Sequence, residues 1–171
     1  GIAQSMGEID ISKTLDELEE KTRNPWICII RAHSAVVGLK IDIEDDRIID
    51  VSSYEDSQEL LLISDFHITD YSSTCGDFIL MKKPVILFQA DKEAYFRDDR
   101  TFYFDPDTSP FNIAYNQNDI NYFIQNLDWD KEVKRDEQIM KFYGVFESGN
   151  ASVSVVKYMF SNMTKNIFKK Y

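Results

Sequence analysis

Glycine and proline are scarce in this sequence, with six and four residues among 171. No Walker A, GxGxxG or GxSxG motif occurs, so the usual glycine-rich phosphate loops and the nucleophile elbow are missing. The two histidines and two cysteines are dispersed along the chain, without the spacing of metal ligands. The sequence therefore indicates neither a metal site nor a glycine-rich nucleotide motif.

Long hydrophobic runs are also missing, as is an excess of basic residues. No apolar run approaches the roughly 18 residues of a membrane span, and no charged-then-apolar leader is visible. Nothing in the sequence around Cys28 or Cys75 indicates a disulfide between them. Both are predicted to be reduced thiols, which favours a cytoplasmic location. The formal net charge of −11 argues against nucleic acid as a partner.

The C-terminal residues 145–171 are the basic exception, with four lysines against Glu147 and a net charge of +3. One interpretation is a peripheral contact with anionic lipid on the inner face of the membrane. The other is that lysines near the end of a final helix suit the negative end of its dipole.

The rest of the composition is that of a folded protein. The chain is 43% hydrophobic and contains 12 Phe and 9 Tyr, which is sufficient for a substantial core. We expect residues 1–10 to be a tail or chain edge and residues 11–171 to form one domain. Strand-like runs alternate with helix-like runs, which predicts an α/β fold: a Rossmann-like parallel sheet with helices on both faces.

Individual elements follow from hydrophobic spacing and capping signals. The pattern predicts strands over residues 26–30, 47–51, 66–69, 84–88 and 102–104. It predicts helices over residues 14–21, 57–64, 75–81, 118–126 and 132–142, and a last helix from residue 150 or 152. Thr14 with Glu17, and Ser52 with Glu55, form candidate capping boxes. The continuous apolar run over 26–30 indicates a strand covered on both faces, and the apolar run over 84–88 likewise indicates a buried strand.

The most informative segment lies between the third predicted strand and the following helix. Here Asp70 and Tyr71 lead into three small hydroxyl residues, Ser72, Ser73 and Thr74. The first N–H groups of a helix are unpaired and the N-terminal end of its dipole is positive, so such a turn favours the binding of a phosphate. The alternative is that the serines only cap an ordinary helix.

Arg31 and His33 follow the first predicted strand, and they belong to the same edge of the sheet as the hydroxyl turn. Ligands of parallel α/β sheets bind outside the carboxyl ends of the strands, so the two groups are expected to converge there. Arg31 and His33 are two residues apart and would point to one side, which suggests charge stabilisation of a phosphate. The alternative is a structural histidine bonded to a backbone carbonyl. We interpret His67, inside a strand, as a packing or surface residue.

Several ordered sequence blocks carry a family resemblance over roughly residues 26–160. They are Arg31-x-His33, Tyr54-Glu55-Asp56, Thr69-Asp70-Tyr71-Ser72-Ser73, Lys83-Pro84-Val85-Ile86, Phe102-Tyr103-Phe104-Asp105 and Gly149-Asn150-Ala151-Ser152. Together they resemble the CDP-glycerol glycerophosphotransferases, the primases and polymerases of bacterial teichoic acid synthesis. The Thr-Asp-Tyr-Ser-Ser block is fairly specific to that family and its close relatives in capsule synthesis, and the order of the blocks together is a stronger signal than any one of them.

The resemblance implies a GT-B enzyme with two Rossmann-like halves, of which this chain is similar to the C-terminal, nucleotide-binding half. In the family an acceptor hydroxyl attacks the β-phosphorus of CDP-glycerol and CMP departs, so positioning and charge neutralisation carry most of the catalysis. The acceptor polymer and the general base would belong to the N-terminal half. The resemblance implies no cofactor beyond the CDP-polyol donor, leaves a Mg²⁺ requirement open, and suggests that the isolated chain binds without turnover.

Matched residue by residue, the resemblance assigns roles to several positions. His33 would contact the transferred phosphate as the catalytic residue, and Arg97 or Arg100 would be a further phosphate contact. The remaining expected substrate-binding residues, which include the hydroxyls at the diphosphate, are Arg31, Ser72, Ser73, Thr74 and Ser152.

Three departures from the family pattern concern donor specificity. Thr101 replaces a glycine, Ser148 and Asn150 replace an aspartate and a lysine, and a Pro-Gly-Pro loop is reduced to Ser109-Pro110-Phe111. The transferred group could therefore be ribitol phosphate or another polyol phosphate. Two other classes stay open: a nucleotide-sugar-dependent GT-B glycosyltransferase domain, and a non-catalytic interaction module.

Overall fold

The computed structural model describes residues 9–32, 44–98 and 105–167, with side chains to residue 163. In chain order the elements are α1 (Ile11–Thr22), β1 (Cys28–Ile30), β2 (Ile48–Asp50), α2 (Ser57–Ile63), β3 (His67–Thr69), α3 (Thr74–Phe78), β4 (Val85–Phe88), α4 (Lys92–Asp98), β5 (Asn112–Ala114), α5 (Gln117–Gln125), α6 (Trp129–Tyr143) and α7 (Ala151–Ile167). Short 3₁₀ helices occupy Ile79–Met81 and Pro106–Thr108.

All strand pairs within the described residues are parallel, and their hydrogen bonds divide them into two sheets. One sheet pairs β1 with β2, and the other has the order β3-β4-β5. In the second sheet Ile68 pairs with Ile86, and Leu87 pairs with Ile113. The parallel α/β prediction is therefore confirmed. The described strands form two hydrogen-bonded sheets, however, and not one.

The central strand β4 shows why helices cover both faces of the three-stranded sheet. Successive side chains of a strand point to opposite faces. Ile86 and Phe88 pack with residues of α1 and α5, and Val85 and Leu87 pack with Phe78 and with residues of α6. All four side chains of β4 are buried, as the continuous apolar run predicted.

The helix starts differ from the predicted capping boxes. The Asp10 carboxylate accepts from the N–H of Lys13 (3.0 Å) and caps α1, whereas Thr14 lies inside the helix and is buried. The Asp56 carboxylate accepts from the N–H of Gln58 (2.8 Å) and caps α2. Ser52 instead accepts from the N–H of Ala32 (3.0 Å) and so ties β2 to the end of β1. Both predicted boxes were wrong because a nearby Asp makes the capping bond.

The first strand is shorter and less covered than the sequence predicted. It begins at Cys28, and the side chain of Ile27 is 64% exposed. Trp26 contacts the end of α1, where its indole N–H donates to the hydroxyl of Thr22 (2.8 Å). The prediction of a strand covered on both faces was therefore wrong for this run, because the strand begins only at Cys28 and Ile27 before it is largely exposed.

The second half of the fold contains two elements that the pattern did not predict. Strand β5 includes the buried Asn112, whose side-chain amide donates to Glu132 on α6 (3.1 Å). Helix α4 forms over Lys92–Asp98, between the predicted strands at 84–88 and 102–104, where the pattern predicted no element. The predicted strand over residues 102–104 lies outside the described residues.

The last helix forms as predicted, but its apolar side chains are exposed. Phe160 is 65% exposed, and Val156, Met159 and Met163 are likewise exposed. Helical spacing identified the element, whereas the described residues contain no surface that buries this face.

Candidate functional site

The turn between β3 and α3 holds the predicted hydroxyl residues close together. The Asp70 carboxylate accepts from the N–H of Ser72 (3.1 Å), which closes the turn. Ser73 occupies the cap position of α3, yet its side chain makes no capping bond and is exposed. Capping therefore does not explain the Ser73 hydroxyl, and the turn presents it to solvent at the carboxyl end of β3.

A chain of side-chain contacts lies behind this turn. The imidazole Nε2 of His67 is 3.1 Å from the hydroxyl oxygen of Thr74, which in turn lies 3.1 Å from the hydroxyl oxygen of Ser72. The backbone N–H of Thr74 also donates to the Ser72 hydroxyl oxygen (3.3 Å). Ser72, Thr74 and His67 thus form one connected polar group beside the exposed Ser73.

His67 is the residue whose contact sequence reasoning missed. Its ring packs against Phe78, with centroids 5.0 Å apart. The predicted packing role therefore accounts for this contact but not for the contact with Thr74. Burial lowers the pKa of His67 to about 4, which keeps the imidazole neutral at physiological pH. The available signal was its position: His67 ends up beside Thr74 because β3 and α3 are joined by one short turn.

Tyr71 connects the same turn to α4. Its hydroxyl donates to the carboxylate of Asp91 (3.0 Å), and its ring stacks on Tyr95 with centroids 3.6 Å apart. Burial and the Asp91 carboxylate raise the pKa of Tyr71, so the phenol stays protonated. The backbone that carries Ser72 is therefore held from two sides, by Asp70 and by the α4 contacts of Tyr71.

The cysteines are free thiols, as predicted. The Cys75 thiol donates to the carbonyl of Ser72 (3.2 Å), and burial raises its pKa to about 11. Burial also raises the pKa of Cys28 to about 11. Neither thiol is activated as a nucleophile, since the reactive form is the thiolate.

The other predicted site residues either are exposed residues that contact other groups or solvent, or lie outside the described residues. Arg31 is exposed, and its guanidinium donates to the carbonyl of Tyr54 (3.4 Å). Arg97 is exposed and pairs with the adjacent Asp98 (2.8 Å). Ser152 lies exposed in the first turn of α7. His33 and Arg100 are outside the described residues, so the convergence of the cationic groups on the turn stays a prediction.

Within the described part of the chain, no three His, Cys, Asp or Glu side chains group as a metal site. Nor does any helix in that part combine the length and apolarity needed to cross a membrane.

Comparison with known proteins gives consistent relatives. The chain is 33% identical over 148 residues to a teichoic acid poly(glycerol phosphate) polymerase of Bacillus spizizenii, a match covering 84% of this chain and 37% of that protein. It is 36% identical over 104 residues to a teichoic acid glycerol-phosphate transferase of Staphylococcus aureus, covering 61% of this chain and 26% of that one. A poly(ribitol-phosphate) polymerase of Bacillus spizizenii is 37% identical over 92 residues, or 53% of this chain and 15% of its own length.

Solved structures agree with this result. The wall teichoic acid polymerase TagF superposes with a TM-score of 0.62 at 28% identity, covering 90% of this chain and 38% of the polymerase. A histidine-to-asparagine variant of TagF soaked with CDPG matches with the same score and identity, over 90% of this chain and 39% of that one. The parallel α/β fold predicted here is thus that of one region of TagF.

Two facts define what these matches establish. This chain spans less than two fifths of the length of the relatives and structures described above. The profile of the family described as CDP-Glycerol:Poly(glycerophosphate) glycerophosphotransferase matches residues 3–161, which is most of the chain. The protein therefore belongs to the CDP-glycerol:poly(glycerophosphate) glycerophosphotransferase family.

Proposed function

We propose that this chain is the donor-binding domain of a polyol-phosphate transferase that uses CDP-glycerol or another CDP-polyol. The observation that carries the proposal is the turn after β3, where the exposed Ser73 and the connected Ser72 lie at the carboxyl end of a parallel strand. In parallel α/β sheets that edge is where ligands bind. The family membership of the chain then selects a CDP-linked donor for teichoic acid or capsular polysaccharide synthesis.

The proposed reaction assigns a limited task to these residues. An acceptor hydroxyl oxygen forms a bond to the β-phosphorus of the donor, the bond from that phosphorus to the bridging oxygen breaks, and CMP leaves with the electron pair. Ser72 and Ser73 donate hydrogen bonds to the diphosphate, and such bonds strengthen when the acceptor is charged. Arg31, Arg97 or Arg100 and Ser152 add further contacts, and His33 faces the transferred phosphate.

The domain assignment follows from the same proposal. Residues 11–171 form one donor-binding domain, and the acceptor polymer and general base belong to a second α/β half. The isolated chain should therefore bind donor without turnover. Glycerol and ribitol phosphate are both candidates for the transferred group, because relatives named for each polymer match this chain.

A thermal-shift titration with CDP-glycerol, CDP, CMP and UDP tests this function. At about 100 times its dissociation constant, a ligand adds ~2.7 kcal/mol to the free energy of unfolding. We expect the cytidine diphosphates to raise the melting temperature and UDP to have little effect. A response to UDP alone would favour the nucleotide-sugar transferase, and no response to any nucleotide would favour the non-catalytic module.

We also propose a cytoplasmic location with peripheral contact at the inner face of the membrane. The free thiols favour a reducing compartment. The exposed apolar side chains of α7 accompany the net charge of +3 over residues 145–171, the combination that binds anionic lipid surfaces. Sedimentation with vesicles should show more binding to anionic than to neutral lipid. Equal sedimentation with both would contradict the membrane contact.

A further inference from the structure

The direction of donation in the hydrogen bonds between His67, Thr74 and Ser72 decides whether the Ser72 hydroxyl can donate to an anion. The Ser72 hydroxyl oxygen lies within hydrogen-bond distance of two donors, both on Thr74: the backbone N–H and the hydroxyl. A serine hydroxyl has one proton and two lone pairs. When both lone pairs are occupied, its proton must point elsewhere, and no acceptor for it lies among the described residues.

Two directions of donation satisfy the same distances between His67, Thr74 and Ser72. In one, Ser72 donates to Thr74, which donates to the imidazole. In the other, the imidazole Nε2–H donates to Thr74, which donates to Ser72. A phosphate oxygen only accepts, so a bound phosphate selects the second direction, in which the Ser72 proton is free to point outward.

We propose that His67 and Thr74 are positioning residues that orient the Ser72 hydroxyl as a donor to the donor diphosphate. The inference rests on the proposed function, since it names how a residue of that site is held. It also changes the role expected for Thr74, which acts through Ser72 instead of contacting the ligand.

The surroundings of His67 suit this role. The ring packs against Phe78 and its Nε2 contacts the Thr74 hydroxyl, so its orientation is restricted. A neutral imidazole can place its single proton on Nε2, which supplies the first donor of the chain. The charge for phosphate binding would come from other groups, and His67 would contribute only the direction of the hydrogen bonds.

A double-mutant cycle on CDP affinity tests the inference, with Thr74→Val, Ser72→Ala and the pair combined. Thr74→Val keeps the shape of the side chain and removes its hydroxyl. We expect it to weaken CDP binding by roughly 3- to 10-fold, the range for one neutral hydrogen bond. In the Ser72→Ala background, Thr74→Val should have no further effect on CDP affinity, because the Ser72 hydroxyl that Thr74 orients is no longer present.

Two conservative variants separate orientation from packing. Thr74→Ser restores the hydroxyl and should recover most of the affinity that Thr74→Val loses. His67→Gln offers an amide N–H in place of Nε2–H and should bind CDP more tightly than His67→Leu. Melting curves on each variant give its folded fraction, so that affinity is measured per folded molecule.

The outcomes distinguish this inference from the proposed function. If the unmodified chain binds CDP and Thr74→Val has no effect, or has an equal effect with and without Ser72, the positioning role is overturned and the donor site stands. If the unmodified chain binds no CDP, the proposed function fails and the inference fails with it.

Discussion

The carboxyl group of Asp136 lies one helical turn beyond that of Glu132 on α6, and the two side chains are only 1% and 7% exposed. Glu132 accepts from the side-chain amide of Asn112 and pairs with Arg135. Asp136 differs from it, because neither of its carboxyl oxygens has a hydrogen-bond partner among the described residues. A buried carboxylate without a partner is costly, so this group should be held in its protonated form.

The stability of the fold should therefore depend on the ionisation of Asp136. Burial, with a smaller contribution from the charge of Glu132, raises the pKa of Asp136 from 3.8 to about 7, although Arg135 and Lys82 act in the opposite direction. Between these two values the folded chain holds a proton that the unfolded chain has lost. The contribution of this group to stability consequently falls as the pH rises through that window, and it levels off above the folded pKa.

Asp136→Asn removes this titration and is the variant that tests it. Relative to the unmodified chain, its free energy of unfolding should rise by roughly 2–3 kcal/mol between pH 5 and pH 8, at 1.36 kcal/mol per pKa unit. Denaturant melts across that range measure the difference. Asp130→Asn, an exposed position on the same helix, is the matched control. A stability difference that stays constant with pH would show that Asp136 does not titrate in this window.

Ser73→Ala tests the exposed hydroxyl of the turn. Because Ser73 makes no capping bond, the substitution should leave the melting temperature unchanged and weaken CDP binding by roughly 1–3 kcal/mol. Ser72→Ala should also reduce affinity, and it should lower stability by ~1 kcal/mol if its contact with the Thr74 N–H acts as a cap. Calorimetric titration and thermal melts measure both quantities.

Ser154→Ala, at an exposed position on α7, is the control for these serine variants. Unchanged affinity in both Ser72→Ala and Ser73→Ala would remove the phosphate interpretation of the turn and leave capping by Ser72 as the remaining role of its hydroxyls.

His33 is the residue for which kinetics are needed, and it lies outside the described residues. In an enzyme that joins this chain to a second α/β half, His33→Ala should lower kcat by ~10² or more, the effect of removing one charge-stabilising donor. Donor affinity should change less, because only interactions that strengthen in the transition state accelerate the step. A destabilised fold with near-normal turnover per folded molecule would instead identify a structural histidine. Steady-state kinetics and denaturant melts on the same variant decide between the two.

Local pattern was sufficient for those elements whose burial is continuous along the chain. The run from Val85 to Phe88 is buried at every position, so its apolar composition alone predicted a strand covered on both faces. Ile120 and Ile124 repeat at helical spacing, and both are fully buried in α5. In these places the buried residues belong to one element, so the spacing of apolar residues along the sequence reflects which side chains are buried.

Helix boundaries were less predictable because several residues compete for each cap. Thr14 and Ser52 have the composition of capping residues, yet Asp10 and Asp56 make the capping bonds. The competing residues lie only a few positions apart in each case, and all can accept a backbone hydrogen bond. Which residue becomes the cap depends on where the helix packs, and local propensity carries no information about that packing.

By itself, the sequence determined the alternating α/β order, the buried central strand, the hydroxyl turn and the family to which the chain belongs. These features depend on residue type and order over short segments. Tertiary structure decided the rest: Asn112 became a strand residue because it pairs with Ile86 of β4, and Asp136 was left buried on α6 with no hydrogen-bond partner among the described residues. Tertiary structure also brought the His67 imidazole to the Thr74 hydroxyl: the short turn keeps the two residues near each other, and the packing of β3 against α3 decides which side chain the ring meets.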